Sequence, residues 1–498
     1  MTNFADVRSK RSFRSACRAS VSSVPPLWPP RTRPPAASLC VKNYILTVAH
    51  ASGAEDRASL SADPLSSAGY ALILLAVPLL TCNALRAGET LSYGDIPLAL
   101  AGVLLFAAWL GRGHPSGVVP LGLPVGAFLL LTTGLLAVVA TGDAASIAPT
   151  LRFAVTLGVM PLLIMLAAPT PRRIQRLVDV WLLAAGLNAA LGALDLLGLT
   201  SVGVSLTGID FVGFTDRPTG LTLHPNHLGL VCAMAFPVAV ARLGSGGLRG
   251  LAAIALVPLL MVGVVESGSR GALLAAVAGV VLLFALGITT RRSRTTLLLV
   301  AAPVATFVLI VAVLGNNELT GSVAFDRLTG GSGATQSDTQ RRVILEDSLS
   351  KAVANPLVGT GFSDVRTAHN IYVQLLQAGG LLALAGFLAF AVSVIRRARW
   401  LALPRHGLPP SLMSLAAGSG ASVCVWLLFG MVGNAVFDRY LYVPVGVALA
   451  LALVQRRSPT VARPAAPGPP PARPHARASG GGSEASLRSA GLVPGGRR

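Results

Sequence analysis

Apolar stretches near the ~20 residues that a helix needs to cross a hydrocarbon core recur along almost the whole chain. Twelve candidates lie at 68–83, 96–111, 117–140, 149–168, 177–199, 227–243, 249–265, 271–288, 296–315, 370–395, 411–432 and 440–455. In lipid, each backbone N–H and C=O must be satisfied within the spanning segment, so such stretches read as helices. The expected fold is therefore an all-α membrane protein of about twelve transmembrane helices. One membrane domain, 67–456, is flanked by a disordered basic leader, 1–66, and a disordered Pro/Arg-rich tail, 457–498.

Short loops orient such a bundle through their Lys and Arg. With the N-terminus placed in the cytoplasm, the inner loops carry Arg112; Arg172, Arg173 and Arg176; Arg242 and Arg249; Arg291, Arg292 and Arg294; and Arg396, Arg397, Arg399 and Arg405. The outer connections carry only Arg86, Arg152, Arg217, Arg270 and Arg439. Both termini are then expected inside, with one long extracytoplasmic loop, 316–369, between the ninth and tenth spans. Within that loop Asp338 is expected to cap a helix running to about Ala354, stopped by Asn355-Pro356, with Val343, Leu345, Leu349 and Val353 as its apolar stripe.

The net charge of +20 lies largely in the two ends, where it reads as topological ballast that meets anionic lipid. No aromatic platform accompanies it, so nucleic acid is not an expected partner. Five cysteines without CxxC spacing indicate neither a disulfide framework nor a zinc site.

Polar residues gather where even-numbered helices begin at the outer face: "RPTGLTLHPNHLG" (217–229), "ESGSRGALL" (266–274) and "AHNIY" (368–372). Asn226, Ser269 and Asn370 stand at N-cap positions, and His224 and His227 read as loop or cap residues. Capping does not account for the cations. Arg217, Arg270 and Arg152 lie where the positive end of a helix dipole repels them, and Arg341 and Arg342 repeat the pattern in the loop helix. Pairing with Glu266, Asp216, Asp210 or Glu346 is the plain alternative. A diphosphate is the anion that suits several guanidiniums, each of which binds phosphate oxygens in a fork. His369 beside it would take a proton from a hydroxyl. No GK[ST] phosphate loop is present, so the phosphate-bearing donor is expected to arrive within the membrane.

The ordered series "RPTGLTLHPNHLG", "SGSRGALLA", "NPLVGTGF" and "HNIYVQLLQAGG", followed by "NAVFDRYLYVP", resembles the O-antigen ligase and O-antigen polymerase family over roughly 210–455. His369-Asn370 and Gly380 keep the spacing associated with the ligases. The resemblance implies an inverting glycosyltransferase of the bacterial inner membrane that needs no metal or cofactor. It would move a glycan from undecaprenyl diphosphate to a lipid or glycan acceptor on the outer face. By the same resemblance His369 is the base, Arg217 and Arg270 hold the diphosphate, and Arg341 or Arg342 supplies a further cation, with membrane lipids as surroundings.

Two rivals belong to other mechanisms. A twelve-span secondary transporter would favour charges near the midplane, which the seventh to ninth spans lack. A metal-dependent sugar transferase would use acids of the first external loop, for which Glu89 and Asp95 are the candidates.

Overall fold

The computed structural model describes residues 63–86, 91–112, 119–210, 212, 217–286, 332–363, 368–404 and 407–457. Residues 1–62 form a unit apart from 63–498; only the second contains described residues, so the leader up to 62 and the tail from 458 lie outside the description.

Thirteen helices carry the described fold: α1 Pro64–Thr81, α2 Asp95–Arg112, α3 Gly122–Thr141, α4 Ile147–Ala167, α5 Pro171–Leu196, the short α6 Val202–Thr207, α7 Pro225–Arg242, α8 Gly247–Glu266, α9 Arg270–Leu286, α10 Ser332–Ala354, α11 Ile371–Ala402, α12 Pro410–Phe429 and α13 Val443–Arg457. Strands are absent among the described residues; a single bridge, Arg86 to Ser92, closes the α1–α2 turn.

Among the described residues, seven helices are long and apolar enough to cross a membrane: α1, α3, α4 with the turn preceding it, α5, α8, α11 and α12. That is fewer than the expected twelve. The helices α2 and α9 are apolar but shorter. The ninth expected span, 296–315, lies outside the described residues. The other two, α7 and α13, are internal. Every residue from Val443 to Val454 is buried, as is nearly all of α7. A helix that is apolar all round belongs in the centre of a bundle, and the others wrap these two.

Two polar networks mark the ends of the bundle. At one end the buried Arg173 donates to Ser66 and Ala167 and stacks on Tyr70, joining the starts of α1 and α5 to the end of α4. Arg242, buried at the end of α7, pairs with Asp179 of α5 at 2.9 Å. At the other end Asn83, after α1, meets Asp438 and His227, and Arg439 reaches Asp95 at the start of α2.

The helix α11 packs most extensively on α3. Their backbones come close enough that a Cβ at Gly126 would sit 2.6 Å from the Gly386 carbonyl oxygen, the small-residue contact by which helices approach in lipid. The tenth span is not continuous. Gly379 and Gly380 leave helical geometry, Gly380 with φ +65°. The carbonyls freed there accept from Thr360 and Gly361, at 2.7 and 2.9 Å, and the Leu381 amide donates to Pro356 at 2.8 Å. The motif "NPLVGTGF" is thus backbone that docks into a broken helix and restores its hydrogen bonds, the condition for irregular structure at membrane depth.

The loop helix ends at Ala354 as expected but begins before Asp338. Its anticipated apolar stripe is not its inner face: Val343, Leu349 and Val353 are exposed while Ser348 and Ala352 are buried. Docking of the "NPLVGTGF" segment, which directly follows α10, fixes its rotation instead of hydrophobic periodicity.

Gly380→Ala tests the break. Left-handed backbone costs a side chain about 1–2 kcal/mol. The new Cβ would also fall 2.2 Å from the Leu357 carbonyl, an overpacking of about 1–3 kcal/mol. A destabilisation of about 3 kcal/mol is expected, read as a lowered melting temperature in detergent; Gly142→Ala, at φ +70° with open space around it, should lose only the backbone part.

Candidate functional site

Asn370 caps α11. Its side-chain oxygen accepts from the amides of Tyr372 and Val373 at 3.0 and 3.1 Å, and its Nδ2 donates to the Met431 carbonyl at 2.9 Å. The Ile371 amide donates to Gly430 at 2.8 Å. The start of α11 is therefore clamped to the end of α12, with the break at Gly379–Gly380 two turns further on. His369, directly before the cap, is held at φ +46°, the one non-glycine residue with positive φ among those described. Such strain persists only where surroundings impose it, and it clusters at functional positions.

Burial, and then the Arg341 guanidinium, hold His369 below its ordinary pKa of 6.5. Its imidazole is neutral at pH 7 and can accept a proton. His224 is pushed much further, to about 3, by burial first and then by His227, Arg217, Arg341 and His369. That series places two arginines and three histidines within one another's field.

The remaining predicted residues divide. Arg217 is buried at the mouth of α7, its Nε donating to the Ser267 carbonyl at 2.7 Å and its Nη2 to Asn226 Oδ1 at 2.6 Å. Asn226 is therefore not the α7 cap. His224 takes that role through Nδ1, which accepts from the Asn226 amide at 3.0 Å, because Pro225 occupies the first helical position and the helix starts two residues earlier than expected. Ser269 does cap α9, accepting from the Ala272 amide at 3.3 Å. Arg270 Nη2 bridges both carboxylate oxygens of Asp338, at 2.8 and 2.5 Å, and Arg341 lies 3.9 Å from the same group. Arg342 instead pairs with Glu346 on an exposed face, an i,i+4 contact worth only about 0.3–0.5 kcal/mol. The structure thus brings His369, Arg217, Arg341 and, through Asp338, Arg270 to one end of the bundle, and turns Arg342 away.

Arg152 belongs to a neighbouring feature. A cleft of about 1440 Å³ is lined by α2 and α4 and headed by Arg86, Arg152, Arg439, Asp95, His227 and Asp438. Within this head, Asn83 Nδ2 lies 3.0 Å from Asp438 Oδ1 and 3.2 Å from His227 Nδ1, and Arg439 Nε meets Asp95 at 2.7 Å. Sequence reading did not assemble these groups. The available signal was the placement of Arg86, Arg152 and Arg439 on the same outer face; Asn83, a polar residue closing the first span, was a second one. Asp95 is engaged by Arg439, Glu89 lies outside the described residues, and no group of three or more metal-ligating side chains occurs among the described residues.

His369 is expected to titrate below pH 6.5, and Arg341→Ala to move its midpoint upward, because removing a nearby cation favours the protonated ring. Histidine-selective NMR of the detergent-solubilised protein reads both midpoints; a downward or absent shift would show that Arg341 does not act on this imidazole.

No curated protein matches the chain. Residues 254–388, a little over a quarter of its length, match the family model described as O-Antigen ligase. The matched segment contains Ser269, Arg270, Arg341, Arg342, His369 and Asn370 and stops short of Arg152, Arg217 and Asn226. The match suggests ligase or polymerase-type glycan transfer involving lipid-linked partners, and the apolar helices suit a multi-pass membrane protein. His369, beside the Asn370 cap, lies inside the matched segment, so the part of the chain from 254 to 388 is similar to the O-antigen ligase family.

Proposed function

We propose that this chain transfers a glycan from undecaprenyl diphosphate to an acceptor hydroxyl at the extracytoplasmic face of the bacterial inner membrane, with both termini cytoplasmic. The carrying observation is the placement of His369, held at φ +46° beside the Asn370 cap, where burial and then Arg341 favour its neutral form.

The acceptor hydroxyl attacks the anomeric carbon of the donor sugar while His369 takes its proton. The bond from that carbon to the phosphate oxygen breaks, and the electron pair leaves with undecaprenyl diphosphate. One displacement inverts the anomeric centre. Negative charge grows on the departing diphosphate, where Arg217, Arg270 and Arg341 stabilise it; a guanidinium keeps its charge throughout and needs no metal to do so. The diphosphate would compete there with Asp338, both of whose carboxylate oxygens lie within hydrogen-bond reach of Arg270 Nη2. That contact supports the reading that this guanidinium takes an anion.

The acceptor decides between ligase and polymerase. The ligase reading, with a lipid-borne acceptor, is preferred because His369-Asn370 and Gly380 keep the ligase spacing; a polymerase would extend a second glycan repeat at the same His369.

In proteoliposomes supplied with a defined undecaprenyl-diphosphate glycan and acceptor, His369→Ala should abolish product. A general base contributes about 10²–10⁴-fold, so residual turnover below one hundredth of wild type is expected. Arg270→Lys should reduce turnover, since a point charge does not replace the fork, and chelation with EDTA should leave it unchanged. Wild-type turnover by both purified variants would refute the mechanism; EDTA sensitivity would favour a metal-dependent transferase.

A further inference from the structure

Two buried asparagines have no part in the chemistry above: Asn188 inside α5 and Asn83 just after α1. A polar side chain within an apolar span is unfavourable in lipid and points to a task. Both direct their side-chain oxygens at one loop. Asn188 Oδ1 accepts from the Leu221 amide and Asn83 Oδ1 from the Leu223 amide, each at 3.0 Å. The Leu221 carbonyl in turn accepts from the Ala84 amide at 3.1 Å. The loop held between α5 and the end of α1 is the one that begins at Arg217 and leads to His224.

The far ends of both amide side chains are fixed as well. Asn188 Nδ2 donates to the Ala184 carbonyl at 3.0 Å, and Asn83 Nδ2 donates to Asp438 Oδ1 at 3.0 Å. Neither side chain can turn without losing bonds at both ends. The face of α5 is also shaped to the loop, since Asn188, Gly192 and Asp195 follow one another at helical spacing. Gly220 lies against Asn188 at φ +54°, where a Cβ would fall 2.5 Å from the Asn188 carbonyl oxygen, and a Cβ at Gly192 would meet the Pro218 ring at 3.7 Å. Asp195 accepts from the amides of Val202 and Gly203 at 3.0 and 2.8 Å, which sets α6 beside the loop. A Cβ on Gly203 would fall 2.5 Å from Thr219 Oγ1. Residues 218 to 221 thus each have a set place, and Arg217 directly precedes them.

We infer that Asn188 and Asn83 are positioning residues, paired braces that hold the 217–224 loop so that the Arg217 guanidinium meets the departing diphosphate. The assignment rests on the diphosphate reading proposed above. Braces that served only the backbone would lower stability when removed, whatever stood at position 217. Braces that act through Arg217 are energetically coupled to it, and a double-mutant cycle reads that coupling.

Asn188→Leu keeps the branched shape but offers no acceptor, whereas Asn188→Asp keeps an oxygen for the Leu221 amide. Asn188→Ser, whose hydroxyl can bond the Ala184 carbonyl one turn back, removes the brace with less disturbance and replaces the leucine variant should that one not fold. The first readout is phenylglyoxal modification of the full chain in phosphatidylcholine nanodiscs, with mass analysis of each arginine peptide. Arg217, 5% exposed, should be protected in the wild type and in Asn188→Asp and become reactive in Asn188→Leu and Asn83→Leu. Arg342, on an exposed face, is the internal standard. The second readout is glycan transfer per folded protein. Asn188→Leu should lower kcat/KM about 10²-fold, the scale of a ~1 Å misplacement, and should cause no further loss when Arg217→Ala is already present.

Protection of Arg217 in the variants that lack a brace, or the same fold-loss with and without Arg217, would overturn the assignment and leave the asparagines a structural role only. Reactive Arg217 in those variants of a protein whose wild type transfers no glycan would uphold the hold on Arg217 and remove the proposed function instead.

Discussion

The arrangement depends on how one broken helix satisfies its backbone. An interruption inside an apolar span leaves peptide groups facing hydrocarbon, each at a cost of several kcal/mol if unpaired. In α11 the Gln377 and Ala378 carbonyls and the Leu381 amide find Thr360, Gly361 and Pro356. That exchange turns the segment after α10 inward and ties α10 to the bundle. It also frees the eight residues from Ile371 to Ala378 from the direction of the rest of α11. The first part of α11 can then be positioned by its own contacts, the Asn370 cap and the Ile371 bond to Gly430, and His369 is positioned with it.

Electrostatics follow from this placement. Arginines at helix N-termini are unfavourable by the dipole rule, yet Arg217 and Arg270 at the helix mouths, and Arg341 in the third turn of α10, each have an oxygen within reach: the Ser267 carbonyl, Asn226 and the Asp338 carboxylate. Burial first, and then Arg341, joined for His224 by Arg217 and its neighbouring histidines, disfavours protonation of His224 and His369. Under the proposed function one set of charges would serve both the departing anion and the proton acceptor. At the opposite end of the bundle Arg173 and Arg242 serve a different purpose, tying helix ends together through Ser66, Ala167 and Asp179.

Sequence was sufficient where the physics is local. Asn370 and Ser269 were readable as caps, because a short polar side chain before an apolar run has few other uses. The end of α10 at Asn355-Pro356 was readable for the same reason. What depended on distant segments was not. Gly379-Gly380 reads as two small residues in a span until Pro356–Gly361 is seen to bond there. His224 is not a favoured cap, and Asp338 stands where a cap would, yet it faces Arg270 from inside a helix that starts earlier. The head of the α2–α4 cleft draws on residues 86, 95, 152, 227 and 438–439, groups that only the packing of five segments brings together. Hydropathy did not tell the central helices from the others: α7 and α13 are apolar for the sake of protein neighbours as well as lipid.

The contact between Arg270 and Asp338 has a thermodynamic consequence. An anion that competed with Asp338 for this guanidinium would loosen a contact that belongs to α10. Under the proposed function, binding at the helix mouth and docking of the loop helix would then be joined by a single coupling free energy, and linkage would make the relation reciprocal: whatever steadies α10 against the bundle would weaken the grip on phosphate by the same factor.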